Sequence, residues 1–284
     1  MRQPSGRCAP WRRRARRAAI AAGGTLLMLV LAVLVLDRLM PLPRIGAAVA
    51  AVVVAEDGTP LRTYPSRDGA WRYPVQPSQV SPLYLQALLT YEDRWFYWHP
   101  GFNPLSLARA GWQWATTGRI VSGGSTLTMQ VARILEPVPR TPRGKLRQMA
   151  RALQLEWRLS KDDILTLYLN HAPMGGIVEG VEMASRAYLG KPSRDLSHAE
   201  AALLATLPRA PSRLRPDRAP QAAQIARDRV LARLERFDIW SSEVVADARI
   251  EPVIAQKLQG ARLAPQAAER QRSRARKAGA AGRT

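Results

Sequence analysis

The stretch EDRWFYWHPGF, residues 92–102, decides how the chain is read, because it sets a carboxylate pair, an aromatic cluster and one histidine at the end of a helical pattern. Upstream, Ser81-Pro82 suits a helix N-cap and first turn, and Leu85, Leu88 and Leu89 recur at helical spacing. His99-Pro100-Gly101 is the expected stop. Glu92 and Asp93 then stand near the exit of a helix with one buried face, where a carboxylate can meet a cleft and act as a general base. A solvated acidic helix end would look the same in isolation. The blocks downstream argue against it.

SGGSTLTMQVARIL (122–135) places Gly123 and Gly124 before Ser125-Thr126 and an apolar helix. Paired glycines let the backbone approach a ligand, and the free N–H groups of a helix start can face an anion. After a Pro137/Pro139/Pro142 loop, GKLRQMARALQLEWRLSKDDILTLYLN (144–170) reads as one helix with Leu146, Met149, Leu153 and Trp157 on its apolar stripe. GGIVEGVEMASRAYLGK (175–191) reads as a Gly-rich turn into another short helix. Ahead of these blocks, Asp57-Gly58 lies between apolar segments, a hairpin signal. Periodicity alone therefore gives a mainly α domain with a small β element.

Residues 18–36 form an uncharged apolar run long enough for a transmembrane helix. Seven arginines precede it, against Asp37, Arg38 and Arg44 after it, so the positive-inside rule predicts a cytoplasmic N-terminus and an extracytoplasmic body. A cleaved signal peptide, with Ala48-Val49-Ala50 as its small-residue site, is the alternative, but the apolar run exceeds the usual h-region. The lone cysteine, Cys8, precedes the span and implies no disulfide. The net charge is +21, of which residues 1–17 carry +7 and residues 262–284 carry +6. Charge concentrated in tails argues against nucleic acid as partner, and an Arg cluster beside a span favours anionic lipid. The expected division is a cytoplasmic Arg-rich tail (1–17), a transmembrane helix (18–36), a stalk (37–44), one folded domain (45–240) and a basic, partly disordered tail (241–284).

The blocks, in order, resemble the family 51 peptidoglycan glycosyltransferases, the glycan-polymerising domain of class A penicillin-binding proteins. The resemblance runs from about Val52 to Leu234 and rests on E-D-R-x-F-x-x-H-x-G at Glu92–Gly101, G-G-S-T-x-T-x-Q at Gly123–Gln130, K-x-x-I-L-x-x-Y-L-N at Lys161–Asn170 and A-S-x-x-Y-x-G-K at Ala184–Lys191. Residues 128–130, 151–156 and 211–220 look most like the penicillin-binding protein 1C branch. The resemblance implies a mainly α, lysozyme-like fold. It also implies polymerisation of lipid II into β-1,4 glycan with inversion and release of undecaprenyl pyrophosphate, at the inner membrane of a bacterium. Other cell-wall synthesis proteins are the expected protein partners.

Carried over by motif, Glu92 is the implied base, and Asp93, Phe96 and His99 shape the acceptor pocket. Gly123, Gly124, Ser125, Thr126, Gln130, Arg133, Lys145 and Gln148 make the implied pyrophosphate side, which would also take a phosphoglycolipid donor mimic such as moenomycin. No tightly bound cofactor or protein metal site is expected, only Mg²⁺ or Mn²⁺ accompanying the pyrophosphate. The chain departs from the family pattern R-K-x-x-E, keeping Lys145 but carrying Gly144 for Arg and Gln148 for Glu. Glu156 lies about 12 Å further along the helix and is no direct substitute. Met129 replaces a usual Gln, and Arg133 a usual Lys that guanidinium can match on phosphate.

Two other functions fit parts of the pattern. A lysozyme-like peptidoglycan-cleaving enzyme would share the helix-end Glu but need no pyrophosphate cradle; a catalytically weak, membrane-anchored lipid II-binding scaffold would explain Gln148. Neither an S-x-x-K nor a K-T-G string occurs, so transpeptidase chemistry and penicillin binding are not expected of these residues.

Overall fold

The computed structural model describes residues 10–39, 41–42, 52–54, 60–66, 68–118 and 124–257, with 270 and 273. Gly123, the Asp57-Gly58 turn and Ala48–Ala50 lie outside the described residues. The chain divides into two units, Met1–Ile45 and Gly46–Thr284. In the first, α1 (Pro10–Leu39) contains the expected span and runs beyond it at both ends. Its Arg14–Leu39 portion is long and apolar enough to cross a membrane.

The second unit opens with an antiparallel pair, β1 (Val52–Val54) and β2 (Pro60–Thr63), in which Val52 faces Thr63. Helices α2 (Pro82–Glu92), α3 (Pro104–Thr117), α4 (Leu127–Leu135), α5 (Pro142–Arg158) and α6 (Lys161–His171) follow. Next come a short hairpin of β3 (Pro173–Gly175) and β4 (Val178–Glu179), one turn of α7 (Val181–Ala184) running into a π-helical turn, α8 (His198–Thr206), α9 (Pro220–Arg236) and α10 (Ser242–Ile250). Proline at the first position starts α2, α5 and α9, where its missing N–H costs nothing. Helix α8 is buried almost all round by Ala201, Ala202, Leu203, Leu204 and Ala205, which makes it the core against which α2, α9 and α10 pack. A second cluster sets the fully buried Leu127 and Met129 of α4 against α5 and α6.

The architecture is the expected mainly helical one with a small hairpin, and it differs in four places. Helix α2 ends at Glu92, seven residues before His99, because Asp93 leaves helical geometry (φ −159°, ψ 77°) to cap a neighbour. The single helix expected over 144–170 is two: Ser160 accepts the Asp163 N–H while the Asp163 carboxylate takes the Ser160 N–H, a capping box that starts α6 afresh. The ends of the expected apolar stripe of α5 face outward, with Leu146 and Trp157 each about two-thirds exposed, while Met149 and Leu153 between them are half-buried. What α5 buries is Gly144, Gln148, Arg151, Ala152, Gln154 and Leu155, a face held by hydrogen bonds as well as packing. Arg151 pairs with Glu136 and donates to Gln154 at 2.6 Å.

The fourth difference is at the C-terminal side, where the expected tail begins instead with α10. Arg227 on α9 explains its docking. Its side chain is fully buried, donates to the carbonyls of Glu251 (2.5 Å) and Arg249 (3.0 Å), and pairs with Asp228 (2.9 Å). It therefore satisfies carbonyls left open at the end of α10. Arg227→Met keeps the stem and strands those carbonyls, so a loss of about 3 kcal/mol is expected, a fall in thermal midpoint of roughly 6–12 °C. An unchanged midpoint would mean that apolar packing alone holds α10.

Candidate active site

Glu92 is the last helical residue of α2, and its side chain is only 5% exposed. Both carboxylate oxygens are engaged: Gln130 Nε2 of α4 donates to Oε2 and Arg209 Nε donates to Oε1, each at 2.8 Å. Behind it stand the fully buried Tyr84 and Tyr168, whose hydroxyls meet no hydrogen-bond partner among the described residues. Burial first, and the Glu92 charge second, push both phenols well above their ordinary pKa. Burial works most strongly against the charge of Arg209, but the Glu92 carboxylate, together with Tyr91 and Tyr168, raises the guanidinium pKa. The geometry thus holds a desolvated carboxylate in a fixed orientation.

Asp93, Phe96 and His99 are brought together beside Glu92, yet all three are buried. Asp93 accepts the Leu127 N–H at the start of α4 (2.8 Å) and pairs with His99 Nε2 at 2.9 Å. The Lys161 ammonium sits 4.7 Å from the Phe96 ring centre and donates to the His99 carbonyl and to Glu156, both at 2.7 Å. Glu156 also accepts the Thr128 hydroxyl at 2.6 Å, so it has a structural task of its own. Gly101 (φ +93°) closes the loop: a Cβ there would meet the Ala152 carbonyl oxygen at 2.9 Å. These residues shape the site from beneath and do not line its open side.

On the expected pyrophosphate side, Lys145 Nζ donates to Ser125 Oγ at 2.5 Å and to Gln148 Oε1 at 3.2 Å. Burial, and then the charge of Arg133, lower the Lys145 pKa. Arg133 is exposed on α4, Gly124 is half-buried, and Gln130 links this side to Glu92. Thr126 is not free for a ligand: its hydroxyl donates to the Gly101 carbonyl and accepts the Met129 N–H. With the Leu127 N–H on Asp93, two N–H groups at the α4 start are already spent, which leaves Lys145, Ser125 and Arg133 as the groups of this side that the sequence expects to face an anion. Gln148 is buried, with its amide donating to the Met129 carbonyl at 2.5 Å. This donor set is cationic and lacks a carboxylate, so it does not fit a divalent cation. Among the described residues, no group of three or more His, Cys, Asp or Glu is placed to hold a metal.

Residues 57–235 match the family model described as Transglycosylase. The chain belongs to the transglycosylase family. It is similar to penicillin-binding protein 1C of Escherichia coli (strain K12), 58% identical over 229 residues covering 81% of this chain and 30% of that protein. It is also similar to penicillin-binding protein 1A of Pseudomonas aeruginosa, 37% identical over 68% of this chain and 25% of the relative. The crystal structure of penicillin-binding protein 1A from Haemophilus influenzae aligns with a TM-score of 0.43 at 20% identity, over 76% of this chain and 22% of its own. The chain spans under a third of the length of the curated relatives named here.

Within this transglycosylase domain, sequence reasoning missed Arg209, which reaches Glu92 from 117 residues away. It missed Tyr84 and Tyr168 as the wall behind the carboxylate as well. No local spacing signals the Arg209 contact, whereas Tyr84 stands eight residues before Glu92, about two helical turns, and was legible on the same helix.

Proposed function

We propose that the chain is a glycan-polymerising peptidoglycan glycosyltransferase that joins lipid II units with inversion and releases undecaprenyl pyrophosphate. The observation that carries the reading is Glu92, a desolvated carboxylate gripped from two sides and linked by Gln130 to the Lys145–Ser125–Arg133 side. A carboxylate so placed takes the proton of the acceptor 4-hydroxyl as the new bond forms. Lys145 and Arg133 stabilise the departing pyrophosphate. A peptidoglycan-cleaving enzyme has no use for that second group. Helix α1 anchors the chain in the inner membrane, with its Arg-rich start on the cytoplasmic side.

Incubating the full chain in detergent with lipid II tests this reading. Polymer is the expected product; shortened glycans from sacculi would point to cleavage, and binding without product to a scaffold.

The cation pair adds a pH signature. Lys145 carries its charge below its lowered pKa and loses it as pH rises through that value, earlier than an ordinary lysine would. Arg133→Gln removes a repelling charge, so moenomycin binding is expected to weaken about tenfold at neutral pH while its alkaline fall-off moves to higher pH. A fall-off that stays in place would reject the coupling of Arg133 to Lys145.

A further inference from the structure

Three segments meet at Tyr188, a side chain that is fully buried. Its hydroxyl donates to the carbonyls of Met174 (3.2 Å) and Gly175 (3.3 Å) in β3, and its own carbonyl accepts the Gln256 N–H at 2.8 Å. Gly175 in turn lies against Arg215: a Cβ there would stand 2.7 Å from Arg215 Cγ and 2.8 Å from the Tyr188 hydroxyl. The β3–β4 turn, the segment between α8 and α9, and the C-terminal segment are thereby drawn together. Where the last two adjoin is a recess of about 350 Å³, lined by Arg215, Asp217, Arg218 and Lys257.

The recess is built around a buried ion pair. The Arg215 and Asp217 side chains are 8% and 5% exposed, with Nε donating to Oδ1 at 3.0 Å and Nη2 to Oδ2 at 2.6 Å. The Arg218 and Ala219 N–H groups both donate to the Arg215 carbonyl and close a single turn, which brings residues 215 and 218 to one side. The bidentate grip leaves Nη1 of Arg215 with no hydrogen-bond partner among the described residues. Gly176 keeps that nitrogen uncovered. It is exposed, with φ +60°, and a Cβ on it would stand 3.0 Å from Nη1. Arg218 and Lys257 are exposed and form no ion pair among the described residues. Three cations against one carboxylate give the lining a net charge of +2. Burial pushes the Tyr188 hydroxyl pKa up to about 12, with Arg215 pulling it down, Asp217 adding to the rise and Arg218 opposing, so all three charges act on one group.

We infer that this recess binds a phosphate group, carried by a lipid headgroup or free in solution. A phosphate monoester brings a charge of about −1.5 to −2 and three strong acceptor oxygens. The lining answers with its net +2 and with three donors, Arg215 Nη1, Arg218 and Lys257. A single carboxylate would leave half of that charge unmatched. Because Asp217 already holds the Arg215 guanidinium in one orientation, capture of an anion at Nη1 costs little further ordering. The recess shares no residue with the Glu92 or Lys145 groups, so the site stands whether or not the chain polymerises glycan.

The test uses the full chain in detergent with saturating moenomycin on the Lys145 side. Inorganic phosphate is the probe, compared with chloride at matched ionic strength. Calorimetric titration is expected to show saturable phosphate binding, accompanied by a rise in thermal midpoint through mass action. Arg218→Gln/Lys257→Gln, at two exposed positions, should weaken that binding at least about tenfold while moenomycin affinity stays within about threefold. Gly176→Ala, which sets a methyl group against Nη1, should weaken it in the same direction in chain shown to be folded by its melting transition. Arg215 itself is kept, because its loss would strand the buried Asp217. Micelles carrying phosphatidic acid in place of phosphatidylcholine distinguish the source. An affinity above that for free phosphate, lost in the double variant, assigns a lipid headgroup; no gain over free phosphate assigns a soluble one. The inference is overturned if phosphate acts no differently from chloride, if the variants bind it as the parent does, or if moenomycin affinity falls in parallel. Binding of an acidic peptide at the recess where phosphate does not bind would overturn it too, in favour of a protein partner.

Discussion

Glu92→Gln is expected to lower lipid II polymerisation by at least a hundredfold while the fold survives, the usual scale for loss of a general base being 10²–10⁴. The substitution keeps the shape of a side chain that is 5% exposed. It does not keep the chemistry. A carboxylate accepts from Gln130 and Arg209 at once, whereas an amide offers one oxygen and turns its NH₂ toward the other donor. Arg209 loses its counter-ion, and the buried Tyr84 and Tyr168 lose a negative neighbour. Some loss of thermal stability is therefore expected, and the rate has to be measured on chain shown to be folded by its melting transition. A variant that kept more than a tenth of the parent rate would remove Glu92 from the role of base.

Gln148→Glu is expected to reduce both activity and stability, although it restores the family's acidic residue. The Gln148 amide donates to the Met129 carbonyl at 2.5 Å, and an ionised carboxylate there would set two acceptors against each other in a buried place. Swinging toward Lys145 would tie down the cation proposed to meet pyrophosphate. A cost of about 2–3 kcal/mol and a rate loss of about tenfold are expected, without rescue by Mg²⁺ or Mn²⁺. Gly144 belongs to the same adjustment. A Cβ at that position would fall 2.1 Å from the Pro139 carbonyl oxygen, so the Pro-rich loop closes over a site where the family's Arg has no room. A metal-dependent gain of rate in Gln148→Glu would show that the missing carboxylate limits turnover.

Local chemistry made much of the fold legible. Ser81-Pro82 marked the start of α2, and the capping box at Ser160 was there to be read before periodicity merged α5 with α6. The stripe of α5 misled because apolar spacing was assumed to face the core. Here the core-facing side is polar and satisfied by Glu136, Gln154 and Met129, leaving Leu146 and Trp157 outside. At the site, the motif residues Glu92 and Gln130 meet each other, while Lys145 meets Ser125 and Gln148. Motif order could not show that Thr126 and Asp93 spend their hydrogen bonds on each other's segments, nor that Arg209 arrives from a turn more than a hundred residues away. Those contacts are tertiary and leave no periodic trace.

The adjacent carboxylates at 92 and 93 reach the same helix by different routes: Glu92 through the side chain of Gln130, Asp93 through the backbone N–H of Leu127, one turn earlier. The pair works as a two-bolt mount that fixes the end of α2 to α4. Asp93 is anchored further by His99, so the peptide between the two residues has little freedom to rotate. Any drift of the loop that follows is passed across one peptide unit to the backbone that carries the Glu92 carboxylate, so damage at Asp93 is expected to read out as a displaced Glu92.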